Sequence, residues 1–268
     1  MSRGISWYGG KQYMVRHLLP LIPAHKTYVE PFGGGAALLL QKPPSSVEVY
    51  NDINKHLVNF FRVLRDPQKF ERLQRFLMLT PYSRVDHDDA CERYADETLE
   101  NVERAALFYI ASQQSLNGIP GGAWARNKFY SRNGMAKKVS AWLGNIAGLE
   151  EIATRLLTVQ IECADFEKVI RDFDSPDTFF YLDPPYLPET RVVKSAYEYE
   201  MSIDDHVRML DLIRSLQGKV MLSGYANDLY DRYLADWTKK EFDAVTHASL
   251  KGRGERTEVV WMNYEAWL

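Results

Sequence analysis

Phe179-Phe180-Tyr181-Leu182-Asp183-Pro184-Pro185-Tyr186 decides how the rest of this 268-residue chain is read. Four hydrophobic residues lead into an acid, two prolines and an aromatic. The run has the length and β-propensity of a buried strand. Asp183 then falls at the strand's carboxyl end, where open α/β sheets place their ligands. Pro184 and Pro185 fix φ and remove two backbone donors, so the chain leaves the sheet in a stiff turn. Tyr186 is held beyond that turn as an aromatic face. A carboxylate that accepts hydrogen bonds, free carbonyls beside it and a flat ring suit a planar amine on a heterocycle. The plainer reading is a strand ending in an ordinary Pro-Pro turn.

Upstream, Thr27 to Leu40 reads as a short strand, a glycine turn at Gly33-Gly34-Gly35 and an apolar helix. That is the first βα unit of a doubly wound sheet, in which glycines let a cofactor lie against the backbone. It matches neither Gly-x-Gly-x-x-Gly nor a phosphate loop, so neither NAD nor ATP is the natural ligand. Val47 to Asn54 is a second strand ending in an acid. Asp52 lies 17 residues beyond Gly35, placed to take ribose hydroxyls or to cap the following helix. Trp7-Tyr8-Gly9-Gly10-Lys11 precedes both; its glycines permit close approach, and Lys11 could meet a carboxylate. Residues 11–22 read as a helix with Val15, Leu18, Leu19 and Ile22 on one side, stopped by Pro23. A third strand, near 157–161, leads to Asp165-Phe166. There the acid either accepts from an adenine amino group beside the packed Phe166 or caps helix 166–172. Ser202 opens a helix, Lys219–Ser223 is a strand, and Phe242–Val245 with Glu258–Tyr264 close the sheet.

Between the second and third strands lie about a hundred residues of helical pattern, too long for a crossover. Leu57, Phe60, Phe61 and Leu64 share one face, as do Phe70, Leu73 and Leu77, then Ala105, Phe108, Tyr109 and Ser112. Pro67, Pro81 and the polar run 83–89 separate these helices. The expected division is therefore a catalytic domain of residues 1–56 and 157–268, with residues 57–156 an inserted, mainly helical domain. From Arg104 to Leu149 there is no Asp or Glu, but there are Arg104, Arg126, Lys128, Arg132, Lys137 and Lys138. Trp124, Phe129, Tyr130 and Trp142 are interleaved with them. Basic and aromatic residues on a glycine-bounded loop or hairpin match a nucleic-acid contact surface. If residues 126–132 form a hairpin arm, Arg126, Lys128, Tyr130 and Arg132 share one side. Lys137 and Lys138 open the next helix. A basic face without a partner is the plainer alternative. Loops 187–201 and 251–256 carry further basic residues.

Composition narrows the class. The net charge of −3 excludes a generally basic nucleic-acid coat, so contact with an acidic polymer must be local. Two cysteines, Cys91 and Cys163, make neither a disulfide framework nor a zinc site. No metal site is expected, and a reducing cytoplasm fits. The first residues lack the apolar region of a signal peptide and no run of eighteen apolar residues occurs, so neither a secretory leader nor a membrane span is expected.

Taken together these motifs resemble the Dam-type (D12 class) DNA N6-adenine methyltransferases. They are Trp7 with Gly9-Gly10-Lys11, Glu30-Pro31-Phe32-Gly33-Gly34-Gly35, Asn51-Asp52-Ile53-Asn54, Asp165-Phe166 and Asp183-Pro184-Pro185-Tyr186. They span residues 7–186 in the family's order, with an insert where the family carries its target-recognition domain. The resemblance implies an α/β, doubly wound, mostly parallel sheet of the S-adenosylmethionine-dependent methyltransferase type. It implies methyl transfer to N6 of an adenine flipped out of double-stranded DNA, as in restriction–modification, by a monomer or weak dimer on DNA. The setting would be the cytoplasm of a bacterial, phage or mobile-element host cell, with the nucleoid. Asp183, Pro184 and Tyr186 would be catalytic. Trp7, Lys11, Glu30, Phe32, Gly33, Gly34, Gly35, Asp52, Asp165, Phe166 and Asp183 would bind S-adenosylmethionine. Arg126, Lys128, Tyr130, Arg132, Lys137 and Lys138 would contact DNA.

Two departures from the family pattern matter. Ser6 stands where some members have lysine, and the loop from Asn117 to Arg126 differs from the hairpin of GATC-reading members, so GATC is not assigned. Two other classes use similar features. An amino methyltransferase acting on RNA or on a protein glutamine could use a similar tetrapeptide, usually with Asn first; the large basic insert and Asp183 of this chain argue against it. A catalytically dead DNA-binding relative would have lost the cofactor residues, which are present here.

Overall fold

Seven strands form the central sheet of the computed structural model, which describes residues 7–190, 199–244 and 256–266. They are β1 (Thr27–Glu30), β2 (Val47–Asn51), β5 (Gln160–Glu162), β6 (Thr178–Leu182), β7 (Lys219–Tyr225), β8 (Thr238–Ala244) and β9 (Arg256–Met262). A separate two-stranded hairpin joins β3 (Ser131–Arg132) to β4 (Met135–Ala136). The sheet order is β5-β2-β1-β6-β7-β9-β8. The first five are parallel, while β9 runs antiparallel to β7 and β8 antiparallel to β9. This is the doubly wound, mostly parallel sheet expected from the sequence. Chain order reverses between β1 and β6, which makes their carboxyl ends the topological switch point.

Strand alternation sends successive side chains to opposite faces. Tyr28, Tyr50, Phe179, Tyr181, Met221, Val260 and Met262 join one buried cluster; Val29, Val49, Phe180, Leu182, Val220, Leu222, Val259 and Trp261 join another. Burial on both faces explains why β6 reads as a continuous hydrophobic run.

The helices are α1 (Val15–Leu18), α2 (Lys55–Leu64), α3 (Pro67–Leu79), α4 (Arg84–Arg93), α5 (Asn101–Gln113), α6 (Lys137–Ala147), α7 (Leu149–Leu156), α8 (Phe166–Phe173), α9 (Ile203–Arg214) and α10 (Asp228–Tyr233). Local chemistry sets their starts. The Asn54 side chain accepts from the amides of His56 and Leu57 to begin α2, and Asp66 with Pro67 begins α3. Ser202 and Asp205 form a capping box for α9. Helices α2 to α7 occupy the stretch between β2 and β5, and their apolar faces belong to the same cluster as Tyr28 and Tyr50. No described helix is long and apolar enough to cross a membrane.

Three sequence expectations need correction. The helix expected over 11–22 is the single turn α1 followed by a 3-10 turn, Leu19–Leu21. Pro20 lacks the N–H that a continuing helix needs. The helix expected after the glycine turn is a series of turns. Ala36 sits at φ 54°, and the Leu39 amide donates to the Glu30 carboxylate at 2.9 Å instead of to a helical carbonyl. The polar run 83–89 lies largely inside α4, because Ser83 caps that helix. Of the two further basic loops, residues 191–198 and 251–255 lie outside the described residues.

Candidate active site

A cavity of about 460 Å³ opens at the switch point. Trp7, Lys11, Glu30, Phe32, Gly33, Gly34, Gly35, Asp52, Asp165, Phe166 and Asp183, all selected from sequence, line it. The sheet accounts for this convergence: β1 delivers Glu30, β2 delivers Asp52 and β6 delivers Asp183 to one edge.

The glycine turn is pinned from several sides. The Gly33 amide donates to the Asn51 carbonyl at 2.8 Å, and the Gly34 amide to Asp52 Oδ2 at 2.8 Å. The Tyr50 hydroxyl donates to the Gly34 carbonyl at 2.8 Å. A Cβ on Gly33 would stand 2.1 Å from the Tyr50 ring. Gly34 adopts φ +48°, and a Cβ there would meet Trp7 at 3.0 Å. Asp52 also accepts from the Asn54 amide at 2.8 Å, but the cap of α2 is Asn54 itself. Burial pushes the Asp52 carboxyl up, while those two amides pull it down. Asn51, quoted in its motif without a role, staples three strand ends. Its amide group donates to the carbonyls of Pro31 and Ala164, and its oxygen accepts from the Ala164 amide.

Asp183 meets Lys11 across the cavity. The ammonium lies 3.0 Å from Oδ1, donates to the Gly9 carbonyl at 3.2 Å, and stands 4.5 Å over the Tyr186 ring. The Lys11–Asp183 contact is an ion pair made at Oδ1, the atom that faces the ammonium. Burial pushes the Asp183 carboxyl up to about 6; Lys11 opposes this and Glu258 adds to it. Burial works against a charged Lys11, but Asp183 and Glu258 outweigh it, and its pKa ends above the ordinary lysine value. Glu30, buried under the cavity floor, is pushed up to about 7 by desolvation, against donors from Tyr28 and Leu39.

Tyr186 differs from the open aromatic face expected. It is 8% exposed, and its hydroxyl donates to Glu258 Oε2 at 2.9 Å. Tyr225 packs edge-on against it at 4.7 Å. A phenol donor inside the core needs an acceptor, and Glu258 supplies one. Pro184 is buried, and Pro185, half-buried, is the member of the pair that lines the cavity.

Asp165 is the cap of α8, accepting from the Glu167 amide at 2.9 Å, and pairs with Arg208 at 3.0 Å. The Arg208 guanidinium lies 4.5 Å over the Phe166 ring, whose other neighbour is Phe32 at 5.2 Å. Arg208 was not foreseen from the sequence; an arginine five residues into an amphipathic helix carries no local signal. Tyr94, Gly118, Ile119 and Pro120 also line the cavity, so the stretch between β2 and β5 supplies part of its wall.

The basic candidates lie mostly at the surface. Arg126, Lys128, Tyr130, Arg132 and Lys137 are exposed and Lys138 is half-buried. Phe129 is 90% exposed. Lys137 and Lys138 open α6, as expected. The hairpin, however, pairs only Ser131–Arg132 with Met135–Ala136. Residues 126–130 lie outside it, so strand alternation does not place residues 126, 128, 130 and 132 on one side. The turn at Asn133-Gly134, both at positive φ, sets the short register.

Comparison with known proteins agrees with this geometry. The chain is 28% identical to the type II methyltransferase M1.LlaDCHI of Lactococcus lactis subsp. cremoris, over 96% of this chain and 94% of that protein. It is 27% identical to the type II methyltransferase M.MjaIII of Methanocaldococcus jannaschii, over 97% and 98%. It is 22% identical to a DNA adenine methylase of Vibrio cholerae, over 78% and 74%. The family description "D12 class N6 adenine-specific DNA methyltransferase" matches residues 7–248. With its switch-point acid, glycine turn and basic outer loop, the chain belongs to the D12 class of N6 adenine-specific DNA methyltransferases.

Proposed function

We propose that Asp183 and the Pro184 carbonyl receive the exocyclic amine of a flipped adenine, and that the glycine-turn side of the same cavity holds S-adenosylmethionine. The supporting observation is Asp183 itself: a half-buried carboxylate at the switch point that lines the cavity and whose Oδ1 meets the Lys11 ammonium at 3.0 Å. N6 is conjugated with its ring and weakly nucleophilic. Accepting both of its protons favours the pyramidal geometry in which the lone pair attacks. Asp183 then stabilises the positive charge that develops on nitrogen, an oxyanion hole with its sign reversed. The Lys11 ammonium keeps Asp183 ionised until the amine takes its place. Target adenine inside a duplex cannot reach this cavity, so it is extruded, and Tyr186 packs on it once Lys11 withdraws.

The residues present fit the cofactor. The lining acids, Glu30, Asp52, Asp165, Asp183, Glu200 and Asp205, outnumber its cations, Lys11 and Arg208, which suits a sulfonium and an α-ammonium group. Asp52 uses two acceptor positions on backbone amides and has others for ribose hydroxyls. Bound there, S-adenosylmethionine supplies the electrophilic methyl group. Trp7 and Gly33 to Gly35 would flank its methionine end, and Asp165 and Phe166 its adenine, next to Phe32 and Arg208. Lys11 is better read as the partner of Asp183 than as a cofactor contact. Residues 57–156 would read the target sequence, through the basic loop 126–138.

Isothermal titration with S-adenosylmethionine tests the cofactor half. Asp52→Ala should weaken binding about ten- to a hundredfold, the worth of a charged hydrogen-bonded pair. Unchanged affinity would leave Asp52 as a brace for Gly34 alone.

A further inference from the structure

Strand β9 brings a second carboxylate to the catalytic cluster. Glu258 is 2% exposed and shares the sheet face of Val260 and Met262, where an acid is out of place unless it is partnered. Its Oε2 accepts from the Tyr186 hydroxyl at 2.9 Å, and its Oε1 accepts from the Tyr13 hydroxyl. Tyr13 lies two residues past Lys11, and Tyr186 lies three past Asp183. One buried side chain therefore ties together the two segments that form the ion pair. The rung of the sheet reinforces the tie: Tyr225 is the cross-strand partner of Glu258 and packs on the edge of Tyr186. The Tyr186 ring, fixed at its hydroxyl and its edge, keeps one face toward Lys11.

We propose that Glu258 is a positioning residue for methyl transfer: it clamps Tyr186 and Tyr13 by their hydroxyls and so holds the aromatic ring and the Lys11–Asp183 pair in register. This rests on reading Asp183 and Tyr186 as the site of the target amine. Glu258 also sets the electrostatics of that site. The groups that face the pair are Lys11, Tyr13, Asp183, Tyr186, Tyr225 and Tyr181, with Glu30 beyond them. Lys11 balances one of the two nearest carboxylates, so the cluster carries one excess negative charge. That charge favours a cation arising on the amine and opposes ionisation of Asp183.

Glu258→Gln, Glu258→Ala and Tyr186→Phe, each assayed with S-adenosylmethionine and duplex DNA across pH, test this. Glu258→Ala should lower kcat about a hundredfold, the scale of losing alignment at the reacting atoms, with the KM for S-adenosylmethionine nearly unchanged. Glu258→Gln keeps shape and one acceptor and should recover part of that loss. Its acid limb of kcat/KM should move down by roughly half a pH unit, because the like charge beside Asp183 is gone. In the Glu258→Ala background, Tyr186→Phe should cost less than it does alone, since both changes remove the same contact. Wild-type kcat in both Glu258 variants overturns the proposal. So does a kcat loss that follows the melting temperature alone, with the acid limb unmoved. An Asp183→Ala control that retains full activity would instead overturn the site reading underneath.

Discussion

The catalytic cluster and the basic loop carry opposite kinds of design. Around Asp183 the charged side chains are largely withdrawn from solvent and held by fixed partners: Lys11 meets Asp183, while Glu258 takes two phenols. On loop 126–138 the cations are mostly exposed, and Phe129 and Tyr130 project into solvent. Desolvation makes each charge in the first region expensive unless its geometry is fixed, so function there depends on alignment. Screening makes each charge in the second region individually weak, so function there depends on number and placement along a polyanion. Single substitutions should therefore be severe in the cluster and graded on the loop.

The largest effect should come from Asp183→Ala. We expect kcat to fall by about 10²–10³ or more with the fold intact, since a strand-end acid contributes little packing. Circular dichroism beside a transfer assay checks this, and full activity would dissolve the contrast. The pH profile sharpens it. Asp183 must be ionised to accept the amine protons, and burial places it at about 6 in the free enzyme. So kcat/KM should be flat above that value and fall about tenfold per pH unit below it. An acid limb near the ordinary aspartate value would mean the cluster is wetter than its burial indicates.

Effects on the loop should be smaller and different in kind. Arg126→Ala or Arg132→Ala should relax the methylated motif at one base position, a loss of about 1–3 kcal/mol of discrimination for a bidentate guanine contact. Sequencing the methylated sites on genomic DNA reads this directly. If neither variant alters the motif, base reading lies elsewhere. Smallest of all, Lys137→Ala should weaken binding to every sequence alike and flatten the salt dependence by about one unit of slope. Fluorescence anisotropy over a salt series measures it; an unchanged slope would remove Lys137 from the phosphate contacts.

How much was legible in the sequence follows the same division. Strand ends carrying acids and glycines are local patterns, and they located the cavity lining from Trp7 to Asp183. What the sequence concealed was pairing across the fold. Glu258 follows Tyr186 by 72 residues and Tyr13 by 245. The available signal was an acid on the inward-facing register of an apolar strand, in line with Val260 and Met262. The apolar run after Gly35 looked helical because Ala36 to Leu40 has helical composition; a carboxylate from β1 captures the Leu39 amide instead. On the basic loop, charge was legible but register was not: the hairpin turning at Asn133-Gly134 pairs only Ser131–Arg132 with Met135–Ala136 and does not reach residue 126.

The most direct test of the central claim is to supply the wild-type enzyme with S-adenosylmethionine labelled in its methyl group, offer duplex DNA, RNA and protein, and digest the products. We expect label in DNA alone, as N6-methyladenine. Label in RNA or on protein glutamine, or on a DNA base other than adenine, would contradict it.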